Sequence, residues 1–204
     1  MKRVVAVLIV LSLGLAGCTS EDDVVDLDFN GTEYRDPVSV ADFTLTDQNG
    51  KILGIQWTLF RNSSGEIRVS KEALLEKENS YWHDDQIWMA HAAVTTENDH
   101  FFHEKLARGG SGQAGVNGSD FSAWIDNWSF YGDQDWTALK IQAKGRNFEY
   151  SLNLDADGPI ILHGDNGYSI KTFEGHSSGY YSQPFFKVHG KVVLENDTFS
   201  VKGL

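Results

Sequence analysis

The chain has 204 residues, of which 41% are hydrophobic and 23% are charged, a composition that suits one folded domain with a substantial core. Its 29 acidic residues outnumber its 17 lysines and arginines, so the formal net charge is −12 at pH 7. This balance, without a run of basic residues, excludes nucleic acid as a partner, and a single cysteine excludes a framework of disulfides.

The N-terminus has the layout of a secretory signal. A short basic region, Met1-Lys2-Arg3, precedes an apolar run over residues 4–15 that is too short to span a bilayer stably. The run ends in Leu15-Ala16-Gly17-Cys18, which resembles the lipobox of bacterial lipoproteins. The resemblance implies that residues 1–17 are removed as a signal peptide. It also implies that the Cys18 thiol carries acyl chains such as palmitate, which hold the protein on a membrane. The alternative is a signal peptide that contains a cysteine by chance.

The residues after the cysteine predict where the protein is held. Thr19 stands where an aspartate would favour retention at the inner membrane, so the resemblance points to the outer membrane, facing the periplasm. Residues 18–36 are acidic and lack a core pattern, which predicts a flexible tether. The folded domain is therefore expected over residues 37–204.

The body of the chain has the two-residue period of antiparallel β-strands. Apolar and polar residues alternate over 148–154, and the same alternation recurs over 55–59 and 139–143 and, less cleanly, over 192–194. Turn sequences separate these runs, among them Asn-Gly pairs at 49–50 and 166–167. Only residues 71–77 have helical composition. The pattern predicts an all-β, antiparallel barrel or sandwich.

Several blocks of aromatic and polar residues occur in a fixed order along this body. They read GIQWTLFR at 54–61, WMAHAAV at 88–94, HFFHE at 100–104 with ARG at 107–109, AWIDNW at 123–128, LHGDNGYS at 162–169 and SSGYYSQP at 177–184. In this order they resemble the lipocalin-like domain shared by AttH-type secreted proteins and carotenoid 1,2-hydratases of the CrtC family. The resemblance covers about residues 50–203 and implies a lipocalin-like β-barrel.

The chain departs from that family in two places. Relatives usually open with an acidic-Trp-Trp-Tyr strand, whereas residues 38–43 here read VSVADF. Relatives also usually continue into a second barrel, whereas this chain ends at Leu204. The expectation is therefore the first of the two barrels.

Polar and aromatic residues set in apolar strand sequence are the candidates for a ligand site. The predicted ligand-binding residues are Gln56, Trp57, Arg61, His91, Arg108, Trp124, Asp126, Trp128, Tyr180 and Tyr181. The weaker catalytic candidates are Asp126, His91 and Asp165, because a carboxylic acid in an apolar cavity could protonate an alkene, as a hydratase requires. A structural interpretation is also open, in which Arg61 or Arg108 pairs with Asp126 and His91 is hydrogen-bonded inside the barrel.

The histidines suggest a metal site that the spacing does not support. In a strand, His100 and His103 would point to opposite faces, and the segment lacks the order that puts two histidines on one helical face. The segment is predicted to be a surface turn with solvated histidines. Neither a metal nor another cofactor is expected.

Two classes of function follow. The first is a lipid-anchored lipocalin-like protein that binds or hands over an apolar, lipid- or isoprenoid-like ligand, for which the resemblance implies an ABC transporter as a partner. The second is an enzyme acting on an apolar substrate: a lyase of the carotenoid 1,2-hydratase type, or a secreted hydrolase, although no Gly-x-Ser-x-Gly motif is present. A shortened remnant without function is a further alternative.

Overall fold

The computed structural model describes residues 13–15, 38–63, 86–117, 121–170 and 177–203. Most of the predicted signal peptide, the predicted acylation site Cys18, the predicted tether and the predicted helical segment 71–77 lie outside these ranges. Among the described residues, no helix is long and apolar enough to cross a membrane.

The described residues form sixteen strands. They are β1 (Leu13–Leu15), β2 (Val38–Asp47), β3 (Ile52–Ser63), β4 (Gln86–Thr95), β5 (His100–Arg108), β6 (Ala114–Asn117), β7 (Ser122–Ile125), β8 (Trp128–Gly132), β9 (Ala138–Lys144), β10 (Phe148–Ala156), β11 (Ile161–Leu162), β12 (Tyr168–Ile170), β13 (Ser177–Gly179), β14 (Tyr181–Ser182), β15 (Phe186–Leu194) and β16 (Asp197–Gly203). The prediction of an all-β antiparallel fold is confirmed for this part of the chain.

Eleven of the strands form one antiparallel sheet in the order β5-β4-β3-β2-β16-β15-β10-β9-β8-β7-β6. Nearly every neighbour in this order is also a neighbour along the chain, which is the pattern of a meander. The exceptions are the pairings of β16 with β2 and of β15 with β10. These two pairings place the C-terminal hairpin in the middle of the sheet, between its N-terminal and central strands.

Contacts between distant strands show that the sheet is curved. The Tyr150 hydroxyl in β10 donates a hydrogen bond to the backbone oxygen of Gln56 in β3, at 2.8 Å. Lys105 in β5 lies 3.0 Å from Asp126, which follows β7, although these strands belong to opposite ends of the sheet order. The sheet is therefore curled into a nearly closed barrel. Between described residues, no backbone pairing joins the end strands β5 and β6.

The core lies on the inner face of this barrel. Along β3, Leu53, Ile55, Trp57 and Leu59 are buried in alternation, and β9 and β10 follow the same period, as the sequence predicts. The largest fully buried side chains are Trp57, Trp128, Tyr150, Tyr181, Phe130 and Phe186. Burying each contributes about 2–3 kcal/mol of transfer free energy, so the interior is stabilised chiefly by aromatic packing.

Two small sheets accompany the barrel, β1-β13-β12 and β11-β14. The turn predicted at 166–167 leads into β12 and has positive φ at both Asn166 (52°) and Gly167 (95°), as a tight hairpin turn of this kind requires. Strand β1 falls within the predicted signal peptide, so a chain cut before Cys18 would lack it.

The prediction of a surface turn over 100–104 is wrong, because these residues pair with β4 as the start of β5.

Candidate functional site

The barrel interior contains a continuous row of aromatic rings. Trp57 meets Phe130 edge-on at 5.7 Å between ring centroids, and Phe130 meets Phe121 at 5.0 Å. Phe121 lies 4.1 Å from Trp136, and Trp136 meets Tyr181 at 5.4 Å. We call these five residues the aromatic row. All five are buried, so the row is a packed apolar stretch of the core.

Three polar atoms at the ends of this row have no hydrogen-bond partner among the described residues. They are Nε1 of Trp57, the hydroxyl of Tyr181 and Oε1 of Gln183, and all three side chains are buried. The Gln183 amide does donate its Nε2 hydrogen to the backbone oxygen of Trp136 at 3.1 Å, which fixes its orientation. A buried polar atom without a partner costs about 1–3 kcal/mol, and such atoms are rare in folded proteins.

The buried tyrosines Tyr150 and Tyr181 differ in whether the hydroxyl group has a hydrogen-bond partner. Burial raises the pKa of both Tyr150 and Tyr181 well above the ordinary value, and the charge of Asp42 raises the pKa of Tyr150 further. Both hydroxyls therefore stay protonated and can donate a hydrogen bond. Tyr150 donates to Gln56, whereas Tyr181 has no acceptor among the described residues.

Only some of the predicted ligand-binding residues face the interior. Trp57, Trp128 and Tyr181 are buried there, and Arg61 is buried with its guanidinium over the Trp88 ring at 5.6 Å. The Gln56 side chain lies on the outer face of β3 and is exposed, although its backbone oxygen accepts the Tyr150 bond.

Asp126 and Trp128 belong to a second cluster, at the gap between β5 and the β7–β8 turn. The ammonium group of Lys105 contacts the Asp126 carboxylate at 3.0 Å and the side-chain oxygen of Asn127. It also lies 5.0 Å from the centre of the Trp128 ring. The partner of Asp126 is thus a lysine, where the sequence suggested an arginine.

The charge state of Asp126 follows from these contacts. Its pKa is lowered by a hydrogen bond from the Gln113 side chain, at 2.8 Å, and by the hydrogen bond and charge of Lys105. The carboxylate is therefore ionised at neutral pH. An ionised carboxylate in this cluster accepts hydrogen bonds and cannot itself supply a proton.

The remaining predicted residues lie elsewhere on the surface. His91 projects from the outer face of β4, with Nε2 3.3 Å from Glu104 Oε1. Asp165 is exposed in the turn before β12, and the Tyr180 ring stacks on His163 at 4.2 Å. Trp124 is half-buried and donates to the backbone oxygen of Gly112 at 3.2 Å. The three catalytic candidates therefore occupy three separate places.

Arg108 is exposed at the end of β5. Among the described residues, no three His, Cys, Asp or Glu side chains come together as a metal site.

Sequence reasoning missed most of the polar and aromatic groups next to the predicted ones. Three of the missed residues lie between strands: Phe121, Trp136 and Gln183. There, no alternation of apolar and polar residues shows which side chains point inward. Asp42, on the outer face of β2, was also missed. Burial raises its pKa, and a hydrogen bond from Gln56 only partly offsets this.

Comparison with known proteins agrees with this architecture. The family model of AttH-like proteins matches residues 42–204. The fold is similar to the crystal structure of a candidate AttH protein from Nitrosomonas europaea, with a TM-score of 0.72 and 22% sequence identity. That similarity covers 92% of this chain and 55% of the other, so the chain spans about half the length of its structural relative. The sequence has no significant match among curated proteins. Since the family model matches most of its length, the chain belongs to the AttH-like family.

Proposed function

We propose that this AttH-like chain is an exported, lipid-anchored protein that binds an apolar ligand with one polar end against the aromatic row. The observation that carries the proposal is the set of buried polar atoms without partners, set among aromatic rings. A ligand that supplies the missing hydrogen bonds would recover their cost on binding and would bury its hydrocarbon part against the rings.

The Tyr181 end of the row suits the polar end of such a ligand. The Tyr181 hydroxyl offers a donor and Gln183 Oε1 offers an acceptor, and both side chains contact Trp136. An alcohol or a protonated carboxylic acid can accept from the first and donate to the second. Long-chain alcohols, isoprenoid alcohols and fatty acids are therefore the proposed ligand class.

The two buried tyrosines provide a matched test. Tyr181→Phe removes a hydroxyl with no described partner, so we expect unchanged or slightly higher stability and weaker binding of a long-chain alcohol or fatty acid. Tyr150→Phe breaks the bond to Gln56 and should lower the free energy of unfolding by about 1 kcal/mol, with binding retained. Urea denaturation and titration of tryptophan fluorescence measure both effects. If folded wild-type protein gave no saturable signal with any of these ligands, the binding proposal would be wrong.

The lipid anchor is the second part of the proposal. Cys18→Ser should leave an unprocessed, unlipidated chain that partitions into the aqueous phase of a detergent extraction, because two or three acyl chains are what give stable anchoring. Mass spectrometry of the wild-type N-terminus should find acyl groups on residue 18. A mature wild-type protein without acyl mass would contradict the proposal.

Hand-over of the ligand to an ABC transporter, from a protein held at the outer membrane and facing the periplasm, completes the proposal. It is supported by the family resemblance alone. The enzyme alternatives, a hydratase or hydrolase of apolar substrates, need a proton donor or nucleophile beside the row. Ser182, next to Tyr181, is hydrogen-bonded to His163 at 2.8 Å but is buried, which favours a structural role for this pair.

A further inference from the structure

A cleft of about 320 Å³ lies on the outer face of the barrel, across β8, β9, β10 and β15. We call it the outer cleft and define it by the side chains of Tyr131, Lys140, Asn153, Asp155 and His189. It is separate from the aromatic row, because the residues that alternate with these along β8 to β10 point into the core.

The strand register aligns four of these residues in one row. Tyr131 pairs with Lys140, Lys140 with Asn153, and Asn153 with His189. With about 4.8 Å between neighbouring strands, the row is roughly 14 Å long. Lys202 on β16 continues it, because it pairs with His189. A linear ligand lying across the strands would contact all of these side chains.

Three lysines lie in or beside the cleft: Lys140 lines it, and Lys191 and Lys202 stand just outside it on β15 and β16. Lys140 is half-buried at its centre, and Lys191 and Lys202 flank His189 on the neighbouring positions. In the part of the chain that the structure describes, none of these three lysines has a carboxylate within 4.0 Å. In contrast, Lys144, on the same strand and face as Lys140, pairs with Glu149 at 2.7 Å.

Neutral and acidic groups complete the cleft. Asp155 lies 3.6 Å from His189, a distance that leaves most of its hydrogen-bonding capacity free. Asn153 Nδ2 lies 3.5 Å from Nε2 of the same imidazole, which leaves its carbonyl oxygen and one amide hydrogen for a ligand. Tyr131, at the end of the row, is 38% exposed and presents a flat ring.

This combination indicates the class of ligand. Sugar rings stack their C–H faces on aromatic rings, and their hydroxyls bond to amides and carboxylates, while lysines without a counter-charge attract anions. A free phosphate would bind the lysines but would not contact the Tyr131 ring, and a neutral glycan would leave the charge of Lys140 without a counter-charge. We propose that the outer cleft binds an acidic saccharide, a short sugar chain that carries carboxylate or phosphate groups.

The test compares defined probes on the full-length folded protein. Calorimetric titration with polygalacturonate oligomers should give saturable binding that weakens as salt is added, whereas neutral dextran oligomers and inorganic phosphate should bind at least about tenfold more weakly. Lys140→Gln and Tyr131→Ala should each weaken the polygalacturonate affinity by about fivefold to tenfold. Lys144→Gln, which removes a paired lysine from the same strand, should leave it unchanged.

Three results would overturn the proposal. They are the absence of saturable binding to polygalacturonate, an affinity for neutral dextran or inorganic phosphate equal to that for polygalacturonate, or equal losses in the Lys140 and Lys144 variants. Since Tyr181 and the aromatic row are untouched in these variants, the outcome is independent of the apolar-ligand proposal.

Discussion

At the scale of single residues, Asp126 shows how an exposed carboxylate can contribute to folding. It has a positive φ of 52°, which aspartate and asparagine tolerate better than most residues, and its side chain bonds to Gln113 and Lys105. Its carboxylate is 40% exposed, so solvent screening reduces the contribution of these bonds to roughly 0.5 kcal/mol.

Asp126→Asn should therefore lower the free energy of unfolding at neutral pH by roughly 0.5 kcal/mol while keeping the turn conformation. The pKa of Asp126 is depressed in the folded state, so its stabilisation is complete above the unfolded-state value of 3.8. It is lost as the pH falls through the lower folded-state value. Urea denaturation of both proteins across this range measures the difference, which should disappear in strong acid. An equal difference at neutral pH and in strong acid would show that the charge is not responsible.

At the scale of strands, the close packing of β10 against β15 depends on a glycine. Gly190 lies opposite Leu152, and a Cβ atom there would stand 2.2 Å from the backbone oxygen of Ser151. Because these are backbone atoms in paired strands, the two strands would have to separate. Gly54 in β3 offers a control, since its nearest neighbour would be the Thr95 Cβ at 3.6 Å, an ordinary contact.

We expect Gly190→Ala to lower the free energy of unfolding by more than about 2 kcal/mol, because overpacking in the middle of the sheet cannot be relieved locally. Gly54→Ala should change it by less than about 0.5 kcal/mol, or raise it slightly by restricting the unfolded chain. Urea midpoints of the two variants measure the contrast. Similar values for both would mean that β10 and β15 can move apart freely.

The same scale shows what the sequence could predict. Strands β9 and β10 were predictable because their inward residues are apolar and their outward residues mostly polar, and β3 was predictable because Leu53, Ile55, Trp57 and Leu59 alternate before the buried Arg61. Strand β5 was not, because Phe102 and Leu106 are exposed on its outer face, so its pattern does not separate core from surface. The candidate site was predictable only in part. Trp57 and Tyr181 lie in strands, whereas Trp136 lies between strands and is positioned by its contacts with Phe121 and Tyr181, which are distant in sequence.

At the scale of the whole molecule, the barrel has a seam where backbone pairing stops. Its end strands are β5 and β6, and side chains bridge the gap beside them. Lys105, only 12% exposed, reaches Asp126 and Asn127, and the His103 ring meets Trp128 at 6.0 Å. The sequence could not predict this seam, because its residues lie more than twenty positions apart and at opposite ends of the sheet.

The seam should be the first part of the barrel to open. Strands β10 and β15 are paired on both sides, so their amides should exchange with solvent only on global unfolding, whereas amides of β5 and β6 should exchange through local opening.

Lys105→Met keeps an apolar stem over Trp128 but removes the charge that holds Asp126. It should therefore accelerate exchange in β5 and β6 and leave exchange in β10 and β15 unchanged. Lys144→Met, which breaks an exposed ion pair on β9, is the control and should alter neither group. Hydrogen exchange followed by mass spectrometry resolves these strands. If the Lys105 variant exchanged like wild type in β5 and β6, the ion pair would have no part in closing the barrel, and the ring contacts of Trp128 would be left to hold the seam.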